Sequence, residues 1–371
     1  MLPASDFSIS IINFNGMATL PDTLAGLQWA YDAGVAVYLI DDGSTDGSPQ
    51  WAAEHFPAVR VTSMGRNTKH VNRVRNKGLS EPTTPHVMLL DNDILLTRET
   101  VETLAAVMRS RPGGKPVLCC TPRLVCHDDR EKIYFDGAAV SYLMISTALV
   151  RGVRVGDRPD LTPRASLGCG IMWIDRAAAL EVGGFNQDLL FGWGDDGEFQ
   201  MRGRVLGYDV LHVPAATAVH VEKSHGRDRI YAQFRNRYRI MLTLLEGRTL
   251  LLATPMLVLF ELMMTGAALV GGFWGERMAA IRDTWKLRGG IREARRQLQR
   301  RRRVGDRGVF TGGRISGVSS PGKSKLIRAA AAASDLLFDG YWRLIRGCLS
   351  RDDAAAEAPG PAPAEVGHHA R

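Results

Sequence analysis

The chain has 371 residues, 45% of them apolar, enough to bury a sizeable core, and a net charge of +8 at pH 7. The basic excess is local: residues 276–351 hold 19 of the 47 Lys/Arg but only 6 of the 39 Asp/Glu, so the rest of the chain is mildly acidic. Five cysteines, odd in number and without CxxC spacing, argue against a disulfide frame or zinc site and for a reduced, cytosolic setting; the opening MLPASDFSIS has no basic or long apolar stretch, so no signal peptide is expected.

In chain order, FSISIINF (7–14) reads as a buried strand ending in an Asn-Gly turn, and LPDTLAGLQWAYDAG as a helix stopped by glycine. VAVYLIDDGSTDGS repeats the pattern, with an acidic Gly/Ser turn before a helix through Trp51 and Ala53. AVRVTSM is a third strand and HVMLLDND a fourth, followed by a helix from Arg98 to Met108. This alternation predicts right-handed crossovers and a mostly parallel sheet, whose ligands bind beyond the carboxyl ends of the strands. Residues 13–16, Asp41-Asp42, Arg66-Asn67 and residues 91–93 all fall there. From VLCCTPRLV to about residue 166 the pattern loosens into short strands and loops. A second ordered block holds LGCGIMWIDRAAALEVGGF, a helix in GEFQMRGRVLG and a strand in DVLHVP.

After Arg239 the character changes. TLLLATPMLVLF and LMMTGAALVGGFWG are apolar but separated by Glu261 and interrupted by Pro255, and neither uncharged run alone reaches the roughly 18 residues of a spanning helix. Taken together they are long enough, so a tilted span and a re-entrant or peripheral segment both remain open. The dense arginines of KLRGGIREARRQLQRRRRVGDR beside this apolar stretch favour an anionic membrane surface over nucleic acid as partner. Residues 351–371 are Ala/Pro-rich and are expected to be disordered.

The acidic turns carry the chemistry. Asp, Ser and Gly are the residues tight turns require, so DDGSTDGS has a purely structural reading as well. No Walker loop or GxGxxG follows the first strand, so a nucleotide held here would be read by carboxylates, which suit ribose hydroxyls and the imide N–H of a uracil-type base. Asp41 and Asp42 are placed for that work. A diphosphate near Asp91-Asn92-Asp93 would be repelled unless Mg²⁺ or Mn²⁺ bridged them, with Asp93 as direct ligand and Asp91 acting through water or on the ribose.

With SISIINFNG, LIDDGSTDGS, RNKGL, LLDND as a DxD element and GIMWIDRAAALEVGGFNQDLLFGWGDDGEFQMR, in that order, the chain resembles an inverting family 2 glycosyltransferase of GT-A fold, most of all its rhamnosyltransferase-like members. The resemblance covers roughly residues 7–245. It implies a GT-A, Rossmann-like, mostly parallel sheet flanked by helices, with a nucleotide-sugar half at 1–110 and an acceptor-side half at 111–245. Beyond these lie a helical membrane-associating extension at 246–350 and the tail at 351–371. The donor would be a UDP- or dTDP-linked sugar and the acceptor a saccharide or lipid-linked saccharide, in cell-surface polysaccharide synthesis at the cytosolic membrane face.

Carried over, the resemblance implies that Asp41 contacts the base, Asp93 binds the metal and Arg75 lies near the nucleotide, with Phe14, Asn15, Asp42, Asp91 and Asn92 around the donor. Arg66 and Lys69, where relatives have Asn-x-Gly in place of Asn67-Thr68-Lys69, would add positive charge near the phosphates. Asp196 falls at the catalytic base, with Asp195 in place of the usual Glu, and His220 matches a histidine that completes the metal or diphosphate site in some members. Trp193 could stack on an acceptor sugar or belong to the core. His220 could be a ligand or a structural residue, with His225 its rival. Asp195 or Asp196 could equally cap a helix, a role compatible with that of a base. Two other readings are a non-catalytic nucleotide-sugar scaffold, which needs no base, and a nucleotidyltransferase, which should carry a Gly-rich basic loop where this chain has NFNGMATL.

Overall fold

The computed structural model describes residues 2–168, 170–221, 229–310, 312–316 and 325–349. Cys169, His225 and the tail 351–371 lie outside the described residues. Twelve strands are described: β1 (Phe7–Asn13), β2 (Ala36–Asp41), β3 (Val59–Ser63), β4 (His86–Asp91), β5 (Ile94–Leu95), β6 (Val117–Cys126), β7 (Ile133–Phe135), β8 (Ala138–Val140), β9 (Ser146–Ala148), β10 (Arg164–Ala165), β11 (Ile171–Asp175) and β12 (Asp209–His220). The main sheet runs β10-β12-β6-β11-β4-β1-β2-β3, with β5 on β12 and β7 on β6. Strands β3, β2, β1 and β4 are parallel, as are β6 and β12; β11 runs antiparallel between the two groups.

Five helices accompany the first half: α1 (Leu20–Ala25), α2 (Gln28–Asp32), α3 (Ser48–His55), α4 (Val71–Ser80) and α5 (Arg98–Ser110). The single helix expected over 20–34 is two short ones, because the chain turns at Gly26, whose N–H bonds back to Asp22 and Leu24. Eight more follow: α6 (Arg176–Glu181), α7 (Gly197–Val205), α8 (Arg229–Leu244), α9 (Gly247–Gly271), α10 (Trp274–Lys286), α11 (Arg288–Arg301), α12 (Asp306–Val309) and α13 (Lys325–Arg346).

Both faces of the inner strands β1, β2 and β4 are buried, which explains why they read as continuous apolar runs. Ile9, Ile11, Val37, Leu39, Met88 and Leu90 pack with Leu24, Leu27 and Leu104 on one side. The alternate residues Ile12, Ile40, Val87 and Leu89 face the other, where Phe185, Phe199, Leu244 and Phe260 join them. That second core continues through Leu298, Phe310, Phe338 and Trp342, so the C-terminal helices are packed onto the sheet domain. Helix α9 runs unbroken for 25 residues with Pro255 inside it, and among the described residues it alone is long and apolar enough to cross a bilayer by length and composition. Cys119 and Cys120 are buried side by side on β6.

Candidate active site

The parallel strands end together. Asn13 lies beside Asp41, Asp41 beside Ser63, and Ile12 beside Asp91, so the polar ends form one ledge. Asn13, fully buried, donates to Asp41 Oδ1 (2.9 Å), Ser44 Oγ (3.2 Å) and Ser48 Oγ (3.0 Å), and accepts from Asn92 Nδ2 (2.6 Å). A Cβ on Gly16 would sit 2.1 Å from Asn13 Oδ1 and 2.2 Å from Asn92 Nδ2, so the turn passes too close for any side chain there.

Asp41 is almost wholly buried, and its oxygens are spent on its own turn. Oδ1 accepts from Asn13 and, at 2.5 Å, from Ser44 Oγ; Oδ2 accepts from the N–H groups of Gly43 (3.1 Å) and Ser44 (3.0 Å). With these four bonds Asp41 sets the turn at the mouth of the cleft. Asn15 does similar work at a positive φ of 46°, accepting from Thr45 N at 2.9 Å. Asp42 accepts from Thr68 N (2.9 Å), and burial raises its carboxyl against that bond. Arg66, Asn67, Ser44 and Gln50 border an open cleft of about 740 Å³ beside the turn. Phe14 is 45% exposed at its edge of the ledge, and Lys69 has a positive φ of 58° with its N–H on Asn67 Oδ1 (2.7 Å).

A second cavity of about 300 Å³ opens beyond β4 and gathers Arg75, Asp91, Asp93, Trp193, Asp195, Asp196 and His220. Arg75, on α4 and nearly fully buried, holds Asp195 Oδ2 at 2.6 Å and Asn72 Oδ1 at 3.1 Å, with Asp91 at 3.9 Å. Arg75 therefore ties the loop before α7 to α4 as well as facing Asp91. Asp195 is consumed by that link, by a bond from Gly192 N (3.4 Å) and by Asn72, which donates to its carbonyl (2.9 Å). Asp196 takes the N-cap of α7, accepting from Gly197 N at 2.7 Å, and its remaining acceptor capacity lies on the cavity. Burial, reinforced by the charge of Asp195 and opposed by Arg75, pushes its carboxyl up to about 6. Burial likewise pushes Asp91 up to about 7, with Arg75 opposing and Asp93 and Asp196 adding.

Asp93 and His220 meet at the other wall. Val221 N donates to the Asp93 carbonyl at 2.9 Å, and His220 Nε2 stands 4.0 Å from Asp93 Oδ1. The His220 ring is stacked on Tyr134 with centroids 4.2 Å apart, and Arg151 lies over the other side of the system, 4.8 Å from the Tyr134 centroid. Among the described residues no three His, Cys, Asp or Glu converge as a preformed metal cluster, so Asp91, Asp93 and His220 are not assembled as one ligand set. Asp93 and His220 nonetheless fit a hard or borderline divalent cation, which takes one or two protein ligands and fills its shell with substrate phosphate oxygens.

Three contributors carried no motif. Asn72 and Asn236 hold the loop from α4 and α8; Asn236 donates to Leu190 O (2.6 Å) and Trp193 O (2.9 Å) and accepts from Leu190 N (3.0 Å). Buried asparagines inside helices are disfavoured by propensity, which is the signal that could have marked them. Tyr134 came from the region without clear periodicity. Trp193 is half-buried on the cavity wall.

Residues 8–132 match the family described as Glycosyl transferase family 2. No curated protein matches the sequence. Among solved structures, GalNAc-T7, crystallised with UDP, GalNAc and Mn²⁺, superimposes with a TM-score of 0.50 at 16% identity over 64% of this chain and 47% of that one. S. aureus TarS gives a TM-score of 0.44 at 15% identity over 64% of this chain and 39% of that one, and its residues 1–349 with UDP-GlcNAc give 0.44 at 15% over 64% and 65%. The matched region thus spans about half the length of GalNAc-T7. At these identities the likeness establishes the fold, a GT-A type mostly parallel sheet flanked by helices, followed here by a helical region with one apolar helix.

Proposed function

We propose that this chain is an inverting, metal-dependent glycosyltransferase that moves a sugar from a nucleoside diphosphate to a hydroxyl acceptor. The observation that carries the reading is the opposition, across one cavity, of the Asp93–His220 pair and Asp196, a carboxyl whose proton affinity is raised to about 6. A general base works best with a pKa near the operating pH, and Asp196 alone of the loop pair is not tied up by Arg75. Asp196 takes the proton of the acceptor hydroxyl as that oxygen attacks the anomeric carbon and the nucleoside diphosphate departs. When bound, a divalent cation held by Asp93 and His220 supplies charge neutralisation to the diphosphate. Arg75 holds Asp195, and through it the loop, so that Asp196 keeps its position.

The turn shaped by Asn13, Asn15 and Asp41 makes the nucleoside side, with Phe14, Asp42, Arg66, Lys69, Asp91 and Asn92 around the donor. Trp193 and Tyr134 make the acceptor wall. We assign residues 1–245 to transfer and 246–350 to attachment at the cytosolic face of a membrane. The apolar exposed face of α9 and the arginines of α11 support a lipid-linked or polysaccharide acceptor of the cell envelope. A rhamnosyl donor, dTDP- or UDP-linked, is the finer assignment.

The experiment is a thermal-stability screen of nucleotide sugars with and without Mn²⁺, since a ligand of the native state raises the midpoint by mass action. A UDP- or dTDP-sugar should stabilise only with Mn²⁺, and the same sugar should then be transferred to membrane extract. Stabilisation by nucleoside triphosphates instead, or by no nucleotide at all, would overturn the proposal.

A further inference from the structure

We infer that α9 lies along a bilayer surface instead of crossing it, and that the cavity between α8, α9, α10 and α11 binds one anionic phospholipid. The inference deepens the membrane attachment proposed above and rests on it. Near the middle of α9, Glu261 accepts from Arg237 Nη1 (2.5 Å), Tyr238 Oη (2.9 Å) and Arg277 Nη2 (2.7 Å), and the Glu261 carbonyl also accepts from Arg277 (3.0 Å). This charged knot bolts the helix midpoint to α8 and to α10, which carries Arg282 and Lys286 exposed to solvent. A spanning α9 would drag those charges into hydrocarbon, where each is heavily penalised. Its opposite face is apolar and open: Leu251, Val258, Leu262, Met263, Leu269 and Val270 are all more than 40% exposed. With its midpoint charge held on the protein side and this face bare, α9 can rest on a bilayer without carrying its bound neighbours across it.

Against that helix lies a cavity of about 630 Å³, walled by Met241, Leu242, Leu250, Leu257, Ile281 and Ile291, within the roughly 300–1,000 Å³ that holds a small ligand. Its floor is the Glu261–Arg277–Tyr238 knot, already paired, so the interior offers a chain-like apolar space. Its rim is cationic. Arg288 and Arg292 are exposed there and have no carboxylate within ion-pair distance among the described residues. Arg288 also stacks 4.9 Å over exposed Trp285, an amphipathic ring of the type that settles at headgroup depth. An apolar well with two guanidiniums at its mouth that no described carboxylate pairs, Arg288 keeping one donor on Trp285 O (2.9 Å), matches an acyl chain ending in a phosphate. A second copy of this chain would bring the same arginines face to face, which disfavours it as the occupant.

The full chain is mixed with phosphatidylcholine vesicles with and without phosphatidylglycerol, and with the same vesicles carrying brominated acyl chains. Anionic vesicles should be preferred, and Arg288→Gln with Arg292→Gln should weaken binding about 25-fold, at about fivefold per arginine near the surface. Bromine quenching should fall sharply in Trp285→Phe, because that ring borders the lipid site. Unchanged thermal midpoints would show that the variants fold. Vesicle binding that ignores both arginines, or quenching undiminished in Trp285→Phe, would overturn the lipid site while leaving membrane attachment standing. No vesicle binding, or self-association through α9 in its place, would overturn both.

Discussion

Replacing Arg75 by Met keeps most of the side-chain volume and removes the only cation set among Asp91, Asp195 and Asp196 in the described site. The bond to Asp195 is 2.6 Å and both partners are buried, so the variant leaves a carboxylate uncompensated in the interior. Breaking such a pair from one side costs about 3–5 kcal/mol, a large share of a domain's total stability. The loss has a sign with pH. Arg75 lowers both Asp91, at about 7, and Asp196, at about 6, so without it both carboxyls rise further. A carboxyl whose folded pKa exceeds its unfolded value carries no penalty when protonated and destabilises as pH rises through the folded value. The deficit should therefore be largest above pH 7 and shrink towards pH 4. Urea unfolding of both proteins across that range, with chelator present, measures it. A loss below about 1 kcal/mol that does not vary with pH would refute the reasoning.

Three further outcomes follow from the same geometry. The rate of transfer under kcat/KM conditions should fall tenfold per pH unit below about pH 6, where Asp196 gains its proton, and a flat profile to pH 5 would exclude it as the base. Asp93→Asn and His220→Ala should each abolish Mn²⁺-dependent stabilisation by the donor while leaving the unliganded midpoint within a few degrees; metal-dependent stabilisation that survives both changes would remove the pair as ligands. Gly16→Ala forces a methyl to within 2.2 Å of Asn13 and Asn92, so it should lower both stability, by about 1–3 kcal/mol, and donor affinity, read together in the thermal screen.

Strands β1, β2 and β4 and their acidic turns were legible because both faces are buried and each strand ends in a polar turn. The stretch from 111 to about 166 was not, although the helix and strand expected beyond it are α7 and β12. β6 contains Pro122 and Arg123, which argue against an inner strand, yet it lies between β11 and β12. The partner strand absorbs the proline with a register shift between Val213 and Thr217, and Asp136 neutralises Arg123 through bonds of 3.1 and 3.2 Å. Glu261 looked like an interruption of an apolar run for the same reason: its partners Arg237 and Arg277 belong to other helices. The Asp195-Asp196 pair was visible as a motif, but the division of labour was not, because it depends on Arg75, 120 positions earlier. The second role of Asp41, fixing its own turn, was not legible, since the groups it bonds come from Asn13 and the turn itself.

The central claim is that Asp196 is the base of a sugar transfer whose donor is held elsewhere in the cavity. Its most direct test compares Asp196→Asn with the parent chain in two assays on one preparation: donor binding with Mn²⁺, and transfer of labelled sugar to membrane extract. The account predicts donor binding within about twofold of the parent and transfer lower by about 10²–10⁴-fold, the range a general base supplies. Transfer at the parental rate by a folded, donor-binding Asp196→Asn protein would contradict it.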